Sequence, residues 1–375
     1  MESYLTAEIS SAAVEHNLTL LRQGLSPGTR LCAVVKADCY GHGQDLLWPV
    51  IGQQADCLGI ATPDEAIHLR QQGYQRPILM FFSACAYSDG QELHNALEEL
   101  IVQQVTLTVV SPAEVRAVAE AAKHVHAQAE VHVKIDTGMG RSGTWFSQLG
   151  ELSDTCRQTP SVRLAGMYTH FATADEPDKA LTREQLRRFL SAVDSAGGRE
   201  GLTLHAANSA GTIDLPATHL DMVRPGIAVY GYQPSDAMHN RLPLLPALRL
   251  WGRLMQIKDV PNGSSCGYGL TYVFRRDSRV GLVPVGYGDG YFRSLSNRSS
   301  MRIRGRDVPI RGNVSMDQII IDLTDVPDAQ VGDIVEIISP DPAAPHSVEN
   351  LARQAGTIPY EITCRLGRRV RRVLV

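Results

Sequence analysis

Between residue 31 and about residue 231 the chain alternates short apolar runs with longer stretches of helical periodicity, and this alternation constrains the fold more than any other feature. The runs read as strands lie at 31–35, 57–61, 78–82, 107–110, 131–135, 164–169, 202–206 and 222–229. Helical stretches between them include 63–70, 112–122 and 182–190. Ser111, Pro112 and Glu114 supply an N-cap, a proline suited to the first helical turn and an early acid. Repeated βα units of this length imply a parallel sheet, and about eight of them an α/β fold of the TIM-type (β/α)8 barrel kind. An open doubly wound sheet is the alternative, but no G-x-G-x-x-G follows the first run. The barrel is expected over residues 9–242. Beyond it Pro243, Pro246 and Pro261 punctuate β-rich runs at 250–257, 280–285, 301–303, 319–323 and 334–338, with one helix at 347–354. This reads as a mostly β C-terminal domain over 243–375, with residues 1–8 free to add a strand to it.

A chain of 375 residues exceeds one ordinary core, which suits two domains. The formal net charge of −4 gives no electrostatic reason to expect nucleic acid or an anionic membrane as partner. Five arginines near the C-terminus (Arg365, Arg368, Arg369, Arg371, Arg372) read as the polar face of a final strand. The N-terminus shows no basic start or apolar h-region, so no secretory signal is expected, and no apolar run approaches membrane-spanning length. Seven scattered cysteines without a CxxC argue against a disulfide framework or zinc cage and fit a reducing cytoplasm.

The first apolar run delivers Lys36 to the turn Ala-Asp-Cys-Tyr-Gly-His-Gly. Desolvation at the end of a buried strand favours a neutral, nucleophilic amine, able to form a Schiff base with an aldehyde cofactor such as pyridoxal phosphate. A snorkelling surface lysine is the plainer reading of Lys36 taken alone. Other polar residues also follow strand ends, where barrels place function. Lys134, Asp136 and Arg141 surround the fifth, His170 ends the sixth, and His205, Asn208 and Ser209 end the seventh. Arg224, Gly226 and Ile227 belong to the eighth, and a serine hydroxyl with glycine amides there makes a phosphate cradle. Asp136-Thr-Gly lacks the second copy that aspartic-protease chemistry needs. His170, His205 and Asp175 lack short ligand spacing, so no metal is expected. His170 alone reads as a core histidine, and the string 286–291 alone as a tight turn.

Read in order, the Lys36 string, 134–143, Thr169-His-Phe, Asn208-Ser-Ala, Arg224-Pro-Gly-Ile-Ala, Gly286-Tyr-Gly-Asp-Gly, Asn313-Val-Ser-Met-Asp-Gln and Tyr360-Glu closely resemble the alanine racemase family over nearly the full length. The resemblance implies pyridoxal phosphate as cofactor, an external aldimine with alanine, and two bases on opposite faces of the planar carbon, Lys36 and Tyr287. It implies a homodimer with Tyr287 and Met316 reaching the partner's site, and a role in supplying D-alanine for peptidoglycan. Arg224 would face the pyridine nitrogen, with His170 linking it to Tyr287. Tyr40, Asn208, Ser209, Gly226, Ile227 and Tyr360 would hold the cofactor, mostly at its phosphate. Arg141 and the Met316 backbone would bind the substrate carboxylate, and Lys134 matches a lysine that is carbamylated in many members. Tyr268, Asp317 and Tyr291 would stand at the entrance. Cys39, Pro225, Cys266 and Phe292 depart from the family's usual residues without removing a proposed catalytic group. A broader or serine-preferring racemase is the nearest alternative, and Lys134 argues against it. Arg224 argues against a decarboxylase of the same barrel class, and the β domain with Tyr287 against a non-enzymatic pyridoxal phosphate carrier.

Overall fold

A computed structural model of the protein describes residues 4–83, 85 and 90–375. Eight parallel strands close on themselves in the N-terminal part. Around the barrel they run Arg30–Val34, Cys57–Ile60, Ile78–Ser83, Val105–Val109, Ala129–Asp136, Val162–Tyr168, Thr203–His205 and Met222–Val223. Closure is made where Met222 pairs with Arg30. The strands are buried along almost their whole length because helices cover them outside and side chains fill them inside. The helices start where local chemistry allows. Thr62 and Glu65 form a capping box ahead of Pro63–Gln71, and Ser111 accepts from the Glu114 amide to open Pro112–His124.

The eighth strand differs from the expected 222–229 run. It stops at Val223, and Ile227–Tyr230 is a 3-10 turn. Pro225 cannot donate to a ladder, so the chain leaves the sheet there while its carbonyl still accepts from the Val34 amide at 2.9 Å.

The C-terminal sheet contains nine strands, in the order Gln256–Val260, Ser278–Val283, Ile319–Asp322, Arg306–Arg311, Ser300–Ile303, Ile334–Ile338, Leu248–Arg253, Leu5–Ile9 and Arg371–Leu374. Both ends of the chain therefore meet in one sheet. Leu5–Ile9 runs antiparallel to Leu248–Arg253 and parallel to Arg371–Leu374. The expected 250–257 run breaks because the Leu254 amide bonds Asp333 while the Met255 amide bonds Leu282, moving the chain between sheet neighbours. Arg306–Arg311 is a strand that the charged, proline-containing sequence conceals. It follows a tight hairpin in which Arg304 and Gly305 have φ of 48° and 75°. Val348–Ala355 is the expected helix, capped by Ser347, and Pro359–Cys364 is an additional one.

That last helix packs against the barrel mouth. Gly41, at φ 84°, sits so close that a Cβ would lie 2.0 Å from the Thr363 carbonyl oxygen. Arg372 also donates to the Gly41 carbonyl at 2.8 Å. Gly41→Ala is expected to lower stability by more than about 2 kcal/mol, combining left-handed strain with a backbone clash. Urea unfolding would measure this loss.

Candidate active site

Lys36 follows the Arg30–Val34 strand and opens a turn whose next four residues are left-handed. Ala37, Asp38, Cys39 and Tyr40 have φ of 52°, 55°, 53° and 54°. Such conformations cost on the order of 1–2 kcal/mol for each non-glycine residue, so the surroundings must restrain them. The restraints come from several directions. The Glu65 carboxylate accepts from the Ala37 amide at 2.6 Å and the Ala61 amide at 2.7 Å. Asp38 accepts from the Gln44 amide at 2.6 Å. The buried His42 ring lies against the Cys39 and Tyr40 carbonyls and stacks on Tyr230, with ring centroids 4.7 Å apart.

The turn brings Tyr40 over the ends of the seventh and eighth strands. A Cβ on Gly226 would lie 2.2 Å from the Tyr40 hydroxyl, so only glycine permits this approach. The Gly226 amide donates to the Ser209 hydroxyl at 2.9 Å, and the Ala228 amide reaches the same oxygen at 3.4 Å. Ile227 opens the 3-10 turn beside them. Asn208 caps Ser209–Asp214 by accepting from the Gly211 amide at 3.0 Å. Tyr360 reaches in from the additional C-terminal helix, its ring centroid 6.0 Å from that of Tyr40. The result is a compact set of hydroxyl and amide groups suited to a phosphate.

The barrel mouth is cationic. Burial and neighbouring Arg141 lower the Lys36 pKa. Burial, then Arg141, Arg224 and Lys36, bring Lys134 down to about 8. Asp136 shapes the loop carrying Arg141, accepting from the Gly138, Met139 and Gly140 amides on one oxygen and the Arg141 amide at 3.1 Å on the other. Arg224 is buried, and burial lowers it to about 10, so it stays charged at neutral pH. It donates to the Thr169 carbonyl at 2.7 Å, the Ala206 carbonyl at 3.1 Å and His205 Nδ1 at 2.7 Å, and lies 3.5 Å from His170 Nδ1.

Arginine only donates, which fixes His205 as the Nε2–H tautomer. That hydrogen then points to His132 Nδ1 at 2.8 Å. Burial, reinforced by cationic neighbours, lowers His132 to about 3 and holds His205 and half-buried His170 well below the ordinary imidazole value. Tyr168 stacks on His205 at 4.8 Å and hydrogen bonds Thr108 at 2.9 Å, completing the support under Arg224.

Tyr287 lies on the other domain. Its turn, Tyr287–Asp289, is seated on the Met316 loop through Tyr287 N–H to the Ser315 carbonyl at 3.0 Å and Gly288 N–H to the Met316 carbonyl at 2.9 Å. Arg369 ties the two loops, donating to Asp289 at 3.1 Å and Asp317 at 2.7 Å. Tyr287 is 43% exposed, and its hydroxyl has no hydrogen-bond partner among the described residues. Met316 and Tyr268 are exposed on the same domain. The chain thus gathers Lys36, Tyr40, Lys134, His170, Ser209, Arg224, Gly226 and Tyr360 at the barrel mouth but leaves Tyr287 facing outwards. Tyr291, expected at an entrance, is only 5% exposed and packs with Leu250, Val285 and Leu295 inside the C-terminal domain.

Glu65, the His132 and Tyr168 support of His205, and the loop-tying role of Arg369 do not show in the sequence. The Thr62-x-x-Glu65 capping signature was visible, but its second use on Ala37 depends on the barrel. Nothing near Arg369 pointed to Asp289 or Asp317.

A closed parallel barrel with a desolvated lysine and donor cradle at its mouth, followed by an antiparallel β domain, is the design of a two-domain barrel racemase. Residues 9–234 match the model of the alanine racemase N-terminal domain and residues 247–374 that of the C-terminal domain. The chain is 39% identical over 374 residues to the alanine racemase of Desulfovibrio desulfuricans, covering 98% of this chain and 97% of that one. It is similar to the solved alanine racemase of Clostridium difficile 630, with TM-score 0.92 and 34% identity over 100% of this chain and 96% of that one. The alanine racemase from the D-cycloserine producer Streptomyces lavendulae also superposes at TM-score 0.92 and 34% identity, covering 100% of this chain and 98% of that chain. The chain belongs to the alanine racemase family.

His42, His132 and His205 are buried, with His42 lowered to about 4 and His132 to about 3. Their folded values lie below the unfolded value of about 6.5, so the unfolded chain binds the extra protons. Their contribution is complete above about pH 6.5 and is lost as pH falls, by up to about 1.4 kcal/mol per pH unit for each imidazole. His132→Gln is expected to flatten the pH dependence of urea unfolding by one proton, whereas an unchanged slope would exclude a neutral His132. Arg369→Ala is expected to speed amide exchange at Gly286–Asp289, measured by hydrogen–deuterium exchange, while exchange at Lys36–Tyr40 stays unchanged.

Proposed function

We propose that the protein interconverts L-alanine and D-alanine with pyridoxal phosphate, using Lys36 and Tyr287 as its two bases. The observation that carries this reading is the desolvated Lys36 beside a cradle of hydroxyl and amide groups from Tyr40, Ser209, Gly226 and Tyr360. The residues fit the cofactor. A phosphate suits the hydroxyl and amide donors, an aldehyde suits the lowered Lys36 amine, and a pyridine nitrogen suits a buried donor such as Arg224. When bound, pyridoxal phosphate supplies an electron-poor conjugated ring that makes the amino acid's α-proton acidic enough for side-chain bases.

Lys36 holds or takes the proton at Nζ on one face of the α-carbon. Tyr287 does so at its phenol oxygen on the opposite face. Arg224 stays charged on neutral imidazoles, so it offers hydrogen bonds without giving up a proton and keeps the ring a moderate electron sink. Asp136 orients the loop from which Arg141, with the Met316 backbone, binds the substrate carboxylate. Lys134, brought to about 8, offers a larger fraction of neutral amine for carbon dioxide than an ordinary lysine, and as a carbamate it would pair with Arg141.

Tyr287 is exposed on its own domain, so the reading places it in the site of a second copy, in a homodimer that completes both sites. Tyr268 and Asp317, on the same face as Met316, would line the approach. Seven free cysteines suit a reducing cytoplasm, and supply of D-alanine for peptidoglycan is the role consistent with the family.

The test is chiral analysis of product after incubating cofactor-loaded protein with L-alanine, L-serine or L-lysine. D-alanine should form rapidly, with the other two slow or inert. Lys36→Ala and Tyr287→Phe should each lose more than about a hundredfold of the rate, the scale of general acid–base contributions. Cofactor binding without racemisation of any of the three would overturn the assignment, and equal turnover of serine would replace it with a broader racemase.

A further inference from the structure

Away from the barrel mouth, on the outer helical layer, two helices bring together side chains that the racemase reaction does not use. His94 and Glu98 stand four residues apart on one face of Gly90–Val102, and His124 ends Pro112–His124. A single carboxylate oxygen, Glu98 Oε1, lies 2.7 Å from His94 Nε2 and 2.5 Å from His124 Nδ1. The three ligand atoms all fall within 4.8 Å of one another. We propose that His94, Glu98 and His124 form a binding site for a divalent transition-metal ion of the zinc class.

The chemistry of the set selects the ion. Two imidazoles and one carboxylate are the ligands of open zinc sites, with water filling the remaining position. Magnesium and calcium prefer all-oxygen shells, so they are poor occupants, while copper(II) should bind more tightly than zinc. Tetrahedral coordination at about 2.0–2.1 Å separates ligand atoms by about 3.3 Å. The two contacts to Glu98 must therefore open by about 0.7 Å, and the two imidazole nitrogens, within 4.8 Å of one another, must come to the same spacing. His124 lies at the carbonyl end of its helix, where the partial negative charge favours a cation.

Entry is direct, since the His124 side chain is 71% exposed while His94 and Glu98 are partly covered. An occupied site would cross-link two consecutive barrel helices and stabilise the folded chain by mass action. Without an ion the same three groups form a hydrogen-bonded pair of contacts at one oxygen, so the ion must displace the imidazole protons facing Glu98.

The experiment is calorimetric titration of the untagged, chelator-treated full chain with zinc chloride and magnesium chloride near about pH 7.5, where exposed imidazoles are neutral. Zinc should bind and magnesium should not. His124→Ala, a change at an exposed position, should weaken zinc binding by more than about tenfold, and His94→Ala should do the same. With copper(II), paramagnetic resonance should show coupling to two imidazole nitrogens in the wild type and one in His124→Ala. No zinc binding by the wild type, or equal affinity in wild type and His124→Ala, would overturn the proposal.

Discussion

The left-handed turn after Lys36 is the constraint on which the rest of the site depends. Four successive residues in a disfavoured conformation do not persist by local preference. They persist because Glu65 holds the first amide, His42 the carbonyls further on, and Arg372 with the Pro359–Cys364 helix the glycine at its end. The reward is placement. The turn sends Tyr40 back across the barrel to Gly226 and Ser209, so an element after the first strand and elements after the seventh and eighth build one cradle. It also makes the C-terminal domain part of the barrel mouth within a single chain.

Beneath that cradle, charge is arranged by subtraction. Burial and Arg141 lower Lys36, burial and then Arg141, Arg224 and Lys36 lower Lys134, and Asp136 is occupied with four backbone amides. Desolvation, with repulsion from cationic neighbours, holds His132, His170 and His205 below the ordinary imidazole value while the more basic guanidinium stays charged. A site of this sign is prepared for an anionic ligand. Its positive charge sits on donors that hold protons firmly, and its mobile protons sit on amines.

Much of this was legible in the chain. The strand ends carrying Lys36, Asp136, His170, Ser209 and Arg224 could be placed because parallel barrel strands are short apolar runs and function follows their carboxyl ends. The C-terminal domain was less clear. Arg306–Arg311 is strand because a tight hairpin and its neighbours pair it, not because its residues favour a strand. The run through Pro225 looked continuous because hydrophobicity ignores a missing amide. Tyr291 looked like part of the Tyr287 motif, yet the turn between them rotates its ring into the core.

The order of residues along the chain already holds the alternation that closes a parallel barrel, the residue types at its mouth and the family to which they belong. Those are properties of local order, since burial periodicity and strand-end chemistry are written in neighbouring residues. Which groups share protons and which share charge follows from folded contacts alone. The His132–His205–Arg224 chain joins two strands and the segment just after a third, Glu65 serves a turn 28 residues before it, and Arg369 ties loops 80 and 52 residues away. Hydrogen bonding acts over a few ångströms of space, and distance along a chain carries no record of that until the barrel and sheet have closed.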